Sequence, residues 1–377
     1  MQNFIQAMIL STVGSLFGIA WAGQSEGMPQ FKDSLDVPAA QIAGAATPEH
    51  QPMLAVTKAG DRLVATGLRG LVLLSDDHGQ SWRQAQVPVQ SDLTAVHFPT
   101  PLKGWAVGHE GVILHSADRG ETWRVQMDGR QAAEVLAPFY ENLLAAGDDS
   151  IQPYLEQLLF NTEAGAILPY LGVHFDDEQT GYVVGAFGMA RKTVDGGETW
   201  MPWLHRMDND LFLNLNDIKG VGSDVYVAGE QGTVFRLDRE SDRFVAVHTD
   251  YRGSLFGVTG DEHQVVVFGL RGHAFASRDR GQTWARLETG VDDSFTAGAA
   301  SAQGQQLLLV SAGGQLALSR DGGRHFDTFR ATFPMLYAGA ISTEPGEFVL
   351  AGWGGLVSQD AALPRELAGS QSQELLP

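Results

Sequence analysis

The chain has 377 residues, with 45 acidic and 25 basic side chains and a formal net charge of −20. That balance argues against an electrostatic hold on nucleic acid or on anionic lipid. Cysteine is absent, which excludes a disulfide framework and a lipoprotein attachment site, and 45 glycines indicate a chain dense in turns.

Residues 5–21 are apolar, and Ala20-Trp21-Ala22 fits a small-x-small cleavage site. Residues 1–22 therefore read as a signal peptide of an exported, periplasmic protein. No Lys or Arg precedes Lys32, a departure from the usual signal, and a retained N-terminal anchor is the second reading. No other segment approaches a membrane span.

Residues 50–364 carry a repeat. Five near-identical octets occur at 75–82 (SDDHGQSW), 116–123 (SADRGETW), 193–200 (TVDGGETW), 277–284 (SRDRGQTW) and 319–326 (SRDGGRHF). This is the Asp-box pattern. Asp77, Asp118, Asp195, Asp279 and Asp321 accept hydrogen bonds from turn amides. Gly79, Gly120, Gly197, Gly281 and Gly323 permit positive φ, and Trp82, Trp123, Trp200, Trp284 and Phe326 re-enter a strand with apolar surface to bury. The octets read as structural turns.

Asp77 and Asp118 lie 41 residues apart, and Asp279 and Asp321 lie 42 apart. The 84 residues between Asp195 and Asp279 make two periods, with a decayed copy opening at Arg236-Leu237-Asp238 and closing at Phe244. One further period after Asp321 reaches Asp360. A period of roughly 40–45 residues built from short strands is that of a β-propeller with one four-stranded blade per repeat. Strand–turn–strand units at 63–75, 105–116, 182–193, 225–237, 265–277, 307–319 and 348–358 give the same count. The fold class is thus all-β, a seven-bladed β-propeller with Asp-box repeats and one helical hairpin insertion. Glycines three apart, as in Gly67/Gly70 and Gly229/Gly232, suit hairpin loops, since no helix follows to make a dinucleotide fingerprint.

The insertion spans residues 127–169, between blades 2 and 3. Val135, Leu136, Phe139, Tyr140, Leu143 and Leu144 recur at helical spacing, as do Ile151, Tyr154, Leu155, Leu158 and Leu159. Gly147 ends the first predicted helix, and Asp148, Asp149 or Ser150 caps the second. Blade 7 lacks a Trp strand after Asp360. Its outer strand is predicted from residues 32–42, within the N-terminal segment 23–49, which would join the chain ends in one blade. Residues 365–377 read as a polar tail.

Up-and-down strands put the Gly-x-x-Gly tips and the insertion on one face, opposite the Asp-boxes. Arg69, Glu110, Phe187, Gln231, Arg271 and Trp353 at the tips, with Phe139, Tyr140 and Tyr154 of the insertion, form the candidate partner-binding face. Catalysis finds little support: no HExxH, P-loop or nucleophile motif occurs, and no privileged carboxylate pair serves glycoside hydrolysis. His97 and His174 recur in Val-His-Phe as repeat inheritance, so neither a metal nor a cofactor is expected.

The unit G-x-x-G-x-φ-x-x-S-x-D-x-G-x-T-W resembles that of the seven-bladed propeller family of photosystem II assembly and stability factors, over about residues 50–360. The insertion followed by 168–175 (LPYLGVHF) is similar to the family's exported, non-photosynthetic bacterial Asp-box (BNR-like) branch. That resemblance implies an accessory role beside exporters of the resistance-nodulation-division (RND) superfamily. In the photosynthetic branch arginines on one face hold a membrane-protein partner; here Arg69 and Arg271 match, while Glu110, Gln231, Gly313 and Gly354 replace the rest. The function expected is a non-catalytic scaffold or assembly factor for an envelope membrane complex. The alternative is a carbohydrate-active, sialidase-like or glycan-binding propeller.

Overall fold

Seven antiparallel sheets follow one another along the chain, six of four strands and the last of three, each in simple sequential order. The computed structural model describes residues 32–42, 47–301 and 305–360. The innermost strands are Met53–Ala59, Leu93–His97, Tyr170–Phe175, Leu215–Val221, Leu255–Gly260, Phe295–Ala300 and Tyr337–Ser342. Each packs beside the next, and the last returns to the first, so the blades close a ring.

Burial follows from this geometry. A blade's second strand is covered on both faces by its neighbours, and Gly104–Gly108, Gly181–Gly185 and Val265–Gly269 are buried at every position. Such strands read as unbroken apolar runs, whereas the inner strands mix buried and half-buried positions and face a channel. The core divides into seven apolar clusters, each lying chiefly between two adjacent blades. Trp123 belongs to the cluster between blades 1 and 2 and Trp200 to that between blades 2 and 3.

The insertion forms α1 (Ala132–Ala145) and α2 (Gln152–Glu163), an αα-hairpin as predicted. Gly147 adopts φ +92° after α1, and the Asp148 carboxylate accepts from Ser150 N–H ahead of α2. Val135 and Leu159, though part of the apolar sets at helical spacing, point outward and are 52 % and 43 % exposed. Successive helical positions turn by about 100°, so with Leu136 and Leu158 buried their neighbours rotate into solvent.

The predicted closing strand is not where the sequence placed it. Asp33–Ile42 runs along blade 1: Gln90 N–H donates to Ser34 O (2.7 Å), Ala39 N–H to Val87 O (3.0 Å), and Ile42 N–H to Gln84 Oε1 (2.9 Å). Blade 7 has three strands among the described residues, and the short turn Pro48–His50 packs against its last one, Gly355–Asp360. Apolar contact closes the ring here, with Met53, Leu63 and Leu73 of blade 1 meeting Val349, Ala351 and Leu356 of blade 7.

Candidate functional site

Each blade's second and third strands meet in a compact tip. In blades 1 to 5 a non-glycine residue there takes a left-handed conformation: Arg69, Glu110, Phe187, Gln231 and Arg271, with φ between 50° and 58°. The first glycine of each tip serves close approach instead. A Cβ on Gly67, which is extended, would lie 2.3 Å from Pro52 O. The tips are also latched to the following blade. Arg69 N–H donates to Asp92 Oδ1 (2.7 Å), Phe187 N–H to Asn214 Oδ1 (2.7 Å), and Arg271 N–H to Ser294 Oγ (3.1 Å). Side chains at the tips are therefore presented from a fixed backbone.

Arg69 and Arg271 are exposed, but Glu110 is engaged by the Ser34 hydroxyl of the N-terminal segment. Phe187 and Trp353 are 46 % and 52 % exposed. Of the insertion's three aromatics Tyr140 is fully buried, while Phe139 and Tyr154 are half-buried, and all three rings close around His205 of blade 3 at 5.4–6.3 Å between centroids. Tyr140 Oη and His205 Nδ1 are 3.2 Å apart. Burial, with the nearby Arg206 charge, holds the imidazole pKa down at about 4. These three aromatics anchor the insertion. Helical spacing marks the apolar residues of a helix without saying whether they meet the scaffold or a partner.

Further outward residues are on α2 and on the loops entering blades 3, 4 and 7. Leu159, Phe160, Ile167, Leu211, Phe333 and Leu336 are all at least 40 % exposed. With Val135, Phe187 and Trp353 they make nine of the twelve exposed large apolar side chains among the described residues, and these nine are all on the insertion or at the tip end of the ring.

The octet turns occupy the other end. Ser75 Oγ–H donates to Asp77 Oδ1 (2.8 Å), Gly79 N–H to Ser75 Oγ (2.8 Å), and Ser81 N–H to Asp77 Oδ1 (2.9 Å). The same bonds recur at Asp118, Asp195, Asp279 and Asp321, and the Ser81 hydroxyl, which also donates to Asp77, has its place taken by the His325 ring in the last. The Ser81 hydroxyl and amide hold the Asp77 pKa at about 2, and the Thr283 hydroxyl and amide do the same for Asp279. In blade 4 the degenerate copy has become a hairpin, Thr233–Asp238 pairing with Arg243–His248.

The channel between the inner strands encloses 430 Å³. Asp217 lines it, accepting from Val258 N–H (2.9 Å) with its pKa raised by burial, and Glu344 lines the adjoining cavity that shares Lys219, Gly220, Ala340 and Ile341. His97 and His174 meet there with ring centroids 4.9 Å apart. His97 Nδ1 accepts from Phe175 N–H (3.1 Å), and His174 Nε2 lies 3.2 Å from Asp176 Oδ1. Both rings are thus tied into the interblade structure.

The fold defines a seven-bladed propeller, and solved structures bear that out. A structure described as YCF48 bound to D1 peptide superposes with a TM-score of 0.61 at 13 % identity, covering 86 % of this chain and 99 % of that one. YCF48 from Cyanidioschyzon merolae gives 0.59 at 12 % identity, covering 85 % and 98 %. The GH74 enzyme of Niastella koreensis also gives 0.61, at 10 % identity, covering 86 % of this chain and 55 % of the enzyme. These likenesses are of fold. No family model matches the chain, and no curated protein matches it.

Proposed function

We propose that this protein is a non-catalytic scaffold or assembly factor that holds a protein partner on the face bearing the tips and the insertion. The observation that carries this reading is the concentration of exposed large apolar side chains on that face. Fixed tips, latched from blade to blade, supply a preorganised surface. The Asp-box turns, opposite, spend their carboxylates on their own backbone.

The partner we infer is a membrane protein of the cell envelope, in particular an RND-type exporter, reached after export and removal of residues 1–22. The repeat's resemblance to the photosystem II assembly-factor family and the fold shared with a YCF48 that binds a D1 peptide support this. A carbohydrate-active role is the second reading, favoured by the GH74 likeness. Hydrolysis would need two facing carboxylates, and the channel's two, Asp217 and Glu344, line two successive cavities rather than one.

The test is capture from detergent-solubilised envelope membranes by the full chain, beside a screen for reducing-sugar release from a panel of polysaccharides. Specific capture of a membrane complex with no sugar release is expected. Turnover of a polysaccharide, or no membrane partner at all, would overturn the reading.

A further inference from the structure

Along α2, Glu156, Leu159, Phe160 and Glu163 follow at steps of three, four and seven and are all exposed, so they share one helix face. Leu159 is 43 % and Phe160 61 % exposed. The Phe160 ring meets Phe187 of the blade 3 tip edge to face, centroids 6.4 Å apart. Asn161 Nδ2–H donates to Phe187 O (3.2 Å), which pins the helix to that tip. A fixed apolar ridge of two aromatic rings is therefore bracketed by carboxylates.

The electrostatics of the insertion are one-sided. Glu134, Glu141, Asp148, Asp149, Glu156 and Glu163 are exposed, and none forms an ion pair among the described residues. The insertion's one basic residue, Arg130, is already held by Asp128 (2.9 Å) and Asp36 (2.8 Å). An anionic surface would be repelled here, and a purely apolar one would leave the carboxylates desolvated and unpaired.

We propose that the α2–Phe187 ridge docks a partner segment carrying one or two large apolar side chains flanked by Lys or Arg. This rests on the scaffold reading and names the chemistry of its partner. The apolar side chain seats against Phe160 and Phe187, and the flanking cations meet Glu156 and Glu163.

The full chain is titrated by fluorescence anisotropy with three labelled peptides of equal length: Phe with Lys, Phe with Glu, and Ser with Lys. The Phe/Lys peptide is expected to bind, the other two much more weakly, and its affinity to fall with salt. The exposed pair Phe160→Ser/Phe187→Ser should lower its affinity about tenfold. Glu156→Gln/Glu163→Gln should lower it about threefold and flatten the salt dependence. Leu102→Ser, at the opposite end of the ring, should leave it unchanged. Equal binding of the Phe/Glu peptide, or undiminished binding by Phe160→Ser/Phe187→Ser, overturns the proposal. If that variant still captures the membrane partner, the ridge is the wrong surface while the scaffold reading stands. Failure of the wild type to capture any partner sinks the scaffold reading itself.

Discussion

Trp105 of blade 2 and Phe175 of blade 3 stack nearly parallel, their ring centroids 3.6 Å apart and their planes 11° from coplanar. Trp105 Nε1–H donates to Gln126 Oε1 (3.0 Å), and Gln126 Nε2–H donates to Gly196 O (2.8 Å), so the same contact ties both blades to the Asp195 turn. Because each interblade cluster is separate, the ring is as cohesive as its weakest interface. The insertion enters the chain beside this one, and α1 and α2 contribute to its cluster.

Phe175→Ala removes a side chain that is 1 % exposed and leaves Trp105 facing a void. A loss of about 3–5 kcal/mol is expected in urea unfolding. Phe175→Leu should cost distinctly less. Equal losses would show that the ring stacking outweighs the buried volume.

Asp118→Ala strips three partners at once: the Ser116 hydroxyl, the Thr122 amide and the Thr122 hydroxyl. The expected cost is about 1–3 kcal/mol, with the orphaned Thr122 amide as its main source. Peptide binding at the far face should be unaffected. Lost binding in a folded variant would contradict a structural role for these turns.

Stability should fall in two stages as pH drops. Burial holds His115 and His205 neutral, with pKa values near 4 against an ordinary 6.5. Between those values the unfolded chain binds more protons, so their contribution is full above pH 6.5 and is lost as pH falls toward 4. Asp77 and Asp279, with pKa values near 2 against an ordinary 3.8, act next, from about pH 4 down to 2. Unfolding free energies from pH 7.5 to 3 in His115→Gln/His205→Gln should show a weakened upper limb, the remainder belonging to His97, whose pKa burial also lowers. An unchanged upper limb would assign it to other groups.

Arg191 is 5 % exposed, with its guanidinium over the Tyr170 ring at 5.0 Å and a hydrogen bond to the Met127 sulfur in place of a carboxylate partner. Burial lowers its pKa, a sign that the charge is held at a cost. Arg191→Met should keep the melting temperature or raise it, since a volume-matched apolar side chain avoids that desolvation. A fall of several degrees would show that the cation–π contact outweighs it.

The repeat and its spacing were legible because every blade solves the same local problem. The Ser/Thr, Asp and Gly of each octet bond to one another within five residues, so the turn at Asp77 is specified by its own letters. Second strands such as Gly104–Gly108 announced their two-sided burial as apolar runs. The insertion's two helices were legible for a similar reason, from apolar period and the Gly147 stop.

Which way side chains face across elements depends on contacts distant in sequence, and only the tertiary structure decided those. Tyr140 is buried because His205, 65 residues on, waits beneath it. Phe160, two positions past buried Leu158, is left outside against Phe187. Residues 33–42 follow blade 1 because Val87 and Gln84 offer partners there, a pairing that no local pattern encodes. Local hydrogen-bond chemistry and burial period are properties of short strings, so the sequence determines turns, strands and blade number. The choice between an inward and an outward apolar residue is made by the neighbouring blade, so the docking ridge exists only once the ring has closed.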